Sequence, residues 1–401
     1  MDRATAFVCS RCGTPVSAPP HDCPDADATL ELVHDAEAVR EALAPVDAID
    51  DIRRYSPLLP VDTLEGVSLG EGGTDLVAAP SLGESLGVDC SLKVEGANPT
   101  GSTKDRGSAV VAAHAVERRD DVVACASTGN AAASIAAYAA RSGLECCLFV
   151  PERAPDAKAV QPLVYGADVL AVDGTYDDAF DCCRRVTDAS GWLDRSAGAT
   201  PYTDAGARTL GYELAEQTET VPDWVVVPMG NGGTIASAWR GLETFADLDL
   251  ASGTPRMLGV QAAGTTPIHE AVTGADGDGG ETCADSIDVG TPHRLDAARA
   301  AIEDSGGTSV AVSETAIREA TATLGTQEGV FVEPACAAAV AGVKRARERG
   351  VIDSGDHVVA VMTGTGLKDT ETARAVVESS ESIAADTAPE TIVERYSSGS
   401  E

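Results

Sequence analysis

Lysine is what this 401-residue chain most lacks: Lys93, Lys104, Lys158, Lys344 and Lys368 are the full set. Lysine and arginine together number 29 against 64 acidic residues, for a formal net charge of -35. That balance argues against a nucleic-acid partner, because phosphate backbones recruit Lys and Arg. No apolar run approaches the roughly 18 residues of a membrane span, so no membrane partner is expected. The N-terminus, MDRATAFVCSRCG, lacks the basic-then-apolar layout of a signal peptide, and a cytoplasmic location is the expectation. The eleven cysteines are an odd number. The adjacent pairs Cys146-Cys147 and Cys182-Cys183 read as small buried residues in a reducing compartment, not as a disulfide framework. No GxxxxGK[ST] loop and no GxGxxG unit opening a first helix occur, which disfavours kinases, ATPases and nicotinamide dehydrogenases. No 20–50-residue repeat is visible.

What is present divides into three stretches. Residues 1–35 carry Cys9-Ser-Arg-Cys12, then His21-Asp-Cys23. A CxxC knuckle followed by a second Cys/His pair is the layout of a zinc ribbon. The second half is degenerate, with Asp25, Ala26 and Asp27 where another Cys would be wanted. Zinc on Cys9, Cys12, Cys23 and His21, or a ribbon remnant without metal, are both open. From 36 to 376 the chain alternates strand-like runs (121–126, 146–150, 224–228, 257–261, 357–362) with helical ones (131–141, 176–187, 235–242, 335–348). Continuous apolar strands between helices predict an α/β fold with buried parallel sheet. Residues 377–401 are acidic and Ser-rich and read as a mobile tail, although 391–396 has the composition to dock.

In open α/β sheets, ligands bind beyond the carboxyl ends of the strands. After 224–228 comes Gly230-Asn231-Gly232-Gly233-Thr234 and then a helix. Glycines bring several N–H groups onto phosphate oxygens and the helix dipole adds favourable field, so this is a candidate phosphate cup. A tight turn needing positive φ is the alternative. After 121–126 comes Ser127-Thr128-Gly129-Asn130 at a second helix start, where simple N-capping is the alternative. After 357–362 comes Thr363, a hydroxyl at a strand end. Finally Asn98-Pro99-Thr100-Gly101-Ser102-Thr103-Lys104-Asp105-Arg106-Gly107 sets a scarce lysine at a helix start, with the apolar helix expected from about Ser108. Desolvation and the positive helix end lower an amine's pKa, and a neutral amine is what carbonyl attack requires. A surface lysine paired with Asp105 is the alternative. A phosphate cup, an imine-forming lysine and a ring-binding hydroxyl are together accounted for by pyridoxal 5'-phosphate.

These motifs resemble fold type II pyridoxal-phosphate enzymes, and most closely the threonine synthase family. The likeness rests on Glu71-Gly72-Gly73-Thr74, the Lys93-to-Gly107 stretch, Ser127-Thr128-Gly129-Asn130, Gly230-Asn231-Gly232-Gly233-Thr234, Ser305-Gly306-Gly307, Glu333-Pro334-Ala335 and Thr363-Gly364-Thr365-Gly366-Leu367-Lys368-Asp369. It implies two interleaved α/β subdomains, the smaller at about 107–205, and a homodimer. It implies that Lys104 holds the cofactor as a Schiff base, and that Asn130 bonds its ring hydroxyl. Gly230, Asn231, Gly232, Gly233 and Thr234 would hold its phosphate, and Thr363 its pyridine nitrogen. The implied reaction turns O-phospho-L-homoserine and water into L-threonine and phosphate. Ser127, Thr128 and Arg208 are the candidates for the amino-acid substrate.

The chain departs from the family's pattern at Asp75, Thr103, Ala131, Thr203 and Thr234. The Ala131 and Thr203 changes remove donors to a substrate phosphate, since the family commonly has arginine where Thr203 stands. Two other readings therefore remain: a related enzyme eliminating or replacing at Cβ of a smaller amino acid, and a non-catalytic binding protein of the same fold. The acidic, lysine-poor composition is also similar to that of proteins adapted to high salt and would suit a halophilic archaeon, with simple solubility as the alternative.

Overall fold

The computed structural model describes residues 5–9, 12–16, 30–43, 46, 48–153, 156–277, 279–374, 382–385 and 387–397. A small sheet comes first: β1 (Thr5–Cys9) lies between β2 (Pro15–Val16) and β3 (Leu30–His34), antiparallel to both. Next, β4 (Leu76–Ala78) and β5 (Asp89–Val94) begin the main sheet. The chain then leaves it to build a four-stranded parallel sheet from β6 (Val122–Ala126), β7 (Glu145–Pro151), β8 (Asp168–Val172) and β9 (Leu193–Asp194), in the order β8-β7-β6-β9. It returns with β10 (Trp224–Pro228), β11 (Arg256–Ala262), β12 (Thr308–Val312) and β13 (His357–Met362). The main sheet has the order β12-β11-β10-β13-β5-β4 and is parallel except for β4.

The apolar runs explain this layout. Every residue of β6 and β10 is buried, as continuous apolar strands with helices on both faces must be. The edge strand β8 has no fully buried residue, because one side of it has no neighbour.

The helix that carries Lys104 spans Lys104–Arg118, four residues earlier than expected. Gly107 does not interrupt it. A Cβ there would meet the Thr203 carbonyl at 2.8 Å, and one at Gly206 would meet the Arg106 carbonyl at 2.1 Å. The two glycines let this helix and Pro201–Ala207 cross almost backbone to backbone. The first turn is pinned from below. Arg106 bonds Glu95 and Glu213 at 2.7 Å each, and Lys93 Nζ bonds Glu213 at 2.7 Å, all four side chains being fully buried. Burial alone would raise the Glu95 carboxyl, but the Arg106 guanidinium overrides it and holds it below the usual carboxylate range. Asp105 is also committed, accepting from the Thr100 N–H at 2.7 Å and the Thr100 hydroxyl at 2.5 Å, so it does not pair with Lys104.

The first sheet packs on the same helices. Phe7 meets Tyr202 edge-on at 5.1 Å, and Tyr202 stacks on His114 at 3.6 Å. Of the zinc candidates, Cys9 is buried at the end of β1 and Cys12 is exposed, with the Cys12 N–H donating to Cys9 Sγ at 3.4 Å. His21 and Cys23 lie outside the described residues. Among the described residues no group of three or more His, Cys, Asp or Glu is arranged to hold a metal. Toward the C-terminus, Pro389–Ser397 is helical with Val393 and Tyr396 exposed. No described helix is long and apolar enough to cross a membrane.

Candidate active site

A cavity of about 540 Å³ opens at the carboxyl ends of β6, β9, β10 and β13 and at the start of the Lys104–Arg118 helix. Lys104, Ser127, Thr128, Asn130, Gly230, Asn231, Gly232, Gly233, Thr234 and Thr363 all line it. Arg208 does not. It follows the Pro201–Ala207 helix and turns to the side of the first sheet, where burial, and then its charge, lower the imidazole of His34 to about 4.

Lys104 is the first residue of its helix. Its Nζ donates to Thr234 Oγ1 at 3.2 Å, so the amine already spans from one helix start to the other. Burial, and then the Arg195 guanidinium, lower this amine from its ordinary value to about 8. More of it is therefore neutral at pH 7 than of a free lysine.

The glycine turn after β10 is shaped by close approaches. Gly232 sits at φ +83°, and a Cβ on it would meet the Ala298 methyl at 2.7 Å. A Cβ on Gly230 would meet the Ser286 carbonyl at 2.7 Å. Gly232 caps the Gly233–Asp247 helix without a side-chain bond, leaving the first amides of that helix for a ligand. The Asn231 side chain is otherwise engaged: its Oδ1 accepts from the His293 N–H at 3.2 Å and so holds a neighbouring loop.

Asn130 gives its amide to Glu333, at 2.9 and 3.1 Å to the two carboxylate oxygens. Burial raises the Glu333 carboxyl, the Asn130 bond opposing it. Thr363 Oγ1 lies 3.2 Å from Cys336 Sγ, and burial pushes that thiol up to about 12. Glu333 and Cys336 were not among the expected site residues; Glu333 belongs to the Glu-Pro-Ala run and caps the Pro334–Glu348 helix. Lys158, Arg195 and Arg294 also line the cavity and were not expected there. Lys158 pairs with Asp285 and Arg294 with Asp204.

A family model described as pyridoxal-phosphate dependent enzyme matches residues 67–364, and the chain belongs to that family. The curated proteins it resembles include threonine synthases of several organisms. That of Methanocaldococcus jannaschii is 39% identical over 356 residues, covering 86% of this chain and 88% of the relative. That of Methanosarcina acetivorans is 36% identical over 382 residues, covering 92% and 94%. Among solved structures, a threonine deaminase isoform from Solanum lycopersicum superposes with a TM-score of 0.66 at 20% identity, covering 90% of this chain and 96% of that one. At that identity the likeness concerns the fold.

The residues present fit pyridoxal phosphate. The cofactor needs a nucleophilic amine, a phosphate cradle and a partner for its ring nitrogen. Lys104, the uncapped helix start behind Gly232 and the Thr363 hydroxyl all face one cavity.

Proposed function

We propose that the chain is a threonine synthase, converting O-phospho-L-homoserine and water into L-threonine and phosphate. The observation that carries this reading is the Lys104 amine, lowered to about 8, within 3.2 Å of the uncapped glycine-turn helix. The threonine synthase relatives supply the reaction. When bound, the cofactor supplies a conjugated ring that takes up electrons left on substrate carbon. Lys104 holds the cofactor and moves the proton at substrate Cα, for which an amine titrating near neutrality is suited. Gly230, Gly232, Gly233 and Thr234 hold the cofactor's phosphate through backbone N–H groups, and Asn231 fixes the turn from the side. Thr363 would offer the ring nitrogen a neutral hydroxyl, and Asn130, steadied by Glu333, would hold the ring hydroxyl. Ser127 and Thr128 receive the substrate.

Purified protein loaded with pyridoxal phosphate is expected to release phosphate and L-threonine in equal amounts from O-phospho-L-homoserine. No release, together with keto-acid formation from L-serine or L-threonine, would overturn the reading. That second outcome belongs to a dehydratase-like enzyme, which Thr203, whose buried Oγ1 has no partner, and the off-site Arg208 both favour. The same reading takes the chain as a cytoplasmic homodimer adapted to high salt, its catalytic region at 36–376 holding a smaller subdomain at 107–205.

A further inference from the structure

Besides Lys104, three cationic side chains line the cavity: Lys158, Arg195 and Arg294. Lys158 and Arg294 each face a carboxylate, Asp285 and Asp204. Arg195 is different. Among the described residues its guanidinium donates only to neutral acceptors, Nε to Ser108 Oγ at 3.0 Å and Nη2 to the Lys104 carbonyl at 3.4 Å. Its Nη1 is given to no protein acceptor there. The residue is 3% exposed. A guanidinium kept from water without a counter-charge is unfavourable until an anion reaches it.

The strand register says where that anion sits. Parallel β6 and β9 set Ala124 opposite Asp194, and the Arg195 N–H donates to the Ala124 carbonyl at 2.8 Å. One residue on, Ser196 Oγ accepts from the Ala126 N–H at 2.7 Å. Arg195 therefore sits level with the end of β6, just before Ser127 and Thr128 where β6 gives way to the Asn130–Ser142 helix, and all three line the cavity. That helix is capped by Gly129 with no side-chain bond, so its first amides are also unclaimed by a cap. An uncapped start of a 13-residue helix and an uncompensated guanidinium together make an anion site. It is separate from the glycine turn after β10, which the cofactor's phosphate takes.

We propose that Arg195 grips the phosphate of the substrate at this second site, with Ser127, Thr128 and the Asn130–Ser142 helix start. The proposal rests on the threonine synthase reading. It removes the difficulty posed by Thr203 and Arg208: the charge comes from the neighbouring strand end instead.

The test uses the cofactor-loaded full chain as wild type, Arg195→Gln and Arg195→Lys. For Arg195→Gln, the KM for O-phospho-L-homoserine is expected to rise about 10- to 100-fold, with inhibition by inorganic phosphate weakened to match. Arg195→Lys keeps the charge but loses the fork, and a rise of about 3- to 10-fold is expected. Affinity for L-threonine, read from the cofactor's absorbance, should change less than about twofold, since it carries no phosphate. An Arg195→Gln protein that loads cofactor yet keeps both the KM and the phosphate inhibition overturns the proposal. So does an equal loss of L-threonine affinity, which would assign the guanidinium to the carboxylate. If Arg195→Gln does not fold, Arg195→Lys decides by the same two readouts. A wild-type protein that releases no phosphate overturns the threonine synthase reading itself, and this proposal with it.

Discussion

The two halves of the cavity are built from different materials. The half proposed for the cofactor is made by backbone: a helix opening on Lys104, a glycine turn at φ +83° and the strand end just before Thr363. The half proposed for the substrate is lined by side chains from distant segments, Lys158 on a helix, Arg195 after a short strand and Arg294 just before another helix. Backbone geometry leaves local marks in a sequence, because glycine and small residues must recur at fixed offsets. A guanidinium that reaches a cavity from a strand end leaves none.

The contrast can be broken by mutation. The largest effect is expected for Lys104→Ala, with turnover down by at least about a thousandfold and the cofactor's imine absorbance lost, while circular dichroism stays unchanged. Next is Arg106→Met, two residues away but outside the cavity. It leaves buried Glu95 without its guanidinium and should cost about 3–5 kcal/mol of stability, read as a lower urea midpoint. If that variant lost cofactor affinity without losing stability, the buried ion cluster would belong to the site and not to the scaffold.

Gly232→Ala tests the backbone half directly. With positive φ and a methyl contact at 2.7 Å, it should weaken cofactor binding by roughly tenfold, measured by fluorescence titration. A pH series sharpens the same point. An amine lowered to about 8 is protonated and unreactive below that pH and neutral above it. Cofactor uptake by the cofactor-free protein should therefore rise about tenfold per pH unit below 8 and level off near pH 9. An ordinary lysine would still be rising there. The smallest effect is expected for Arg208→Met, which should change the KM for the substrate by less than about twofold, since the side chain lies outside the cavity lining.

Much of the fold was legible because buried parallel strands must be continuously apolar. Trp224–Pro228 and His357–Met362 lie where their valine runs predicted. The helix begins at Lys104, earlier than expected, and Gly107 within it serves close packing against Thr203. Lys104, the glycine turn and Thr363 line one cavity, as their places at strand and helix ends suggested. Arg208 was misleading: it neighbours Thr203 in sequence, but lies beyond the last turn of the Pro201–Ala207 helix and faces the first sheet. Arg195 follows a two-residue strand, too short to give any periodicity, and only the pairing of β9 with β6 shows where it stands.

The central claim is that Lys104, of five lysines, holds the cofactor. Borohydride reduction of the cofactor-loaded protein, followed by peptide mass spectrometry, tests it in one step. One pyridoxyl group per chain on the peptide containing Lys104 is the predicted result. Its appearance on Lys158, the other lysine lining the cavity, or on no lysine at all, would contradict the account.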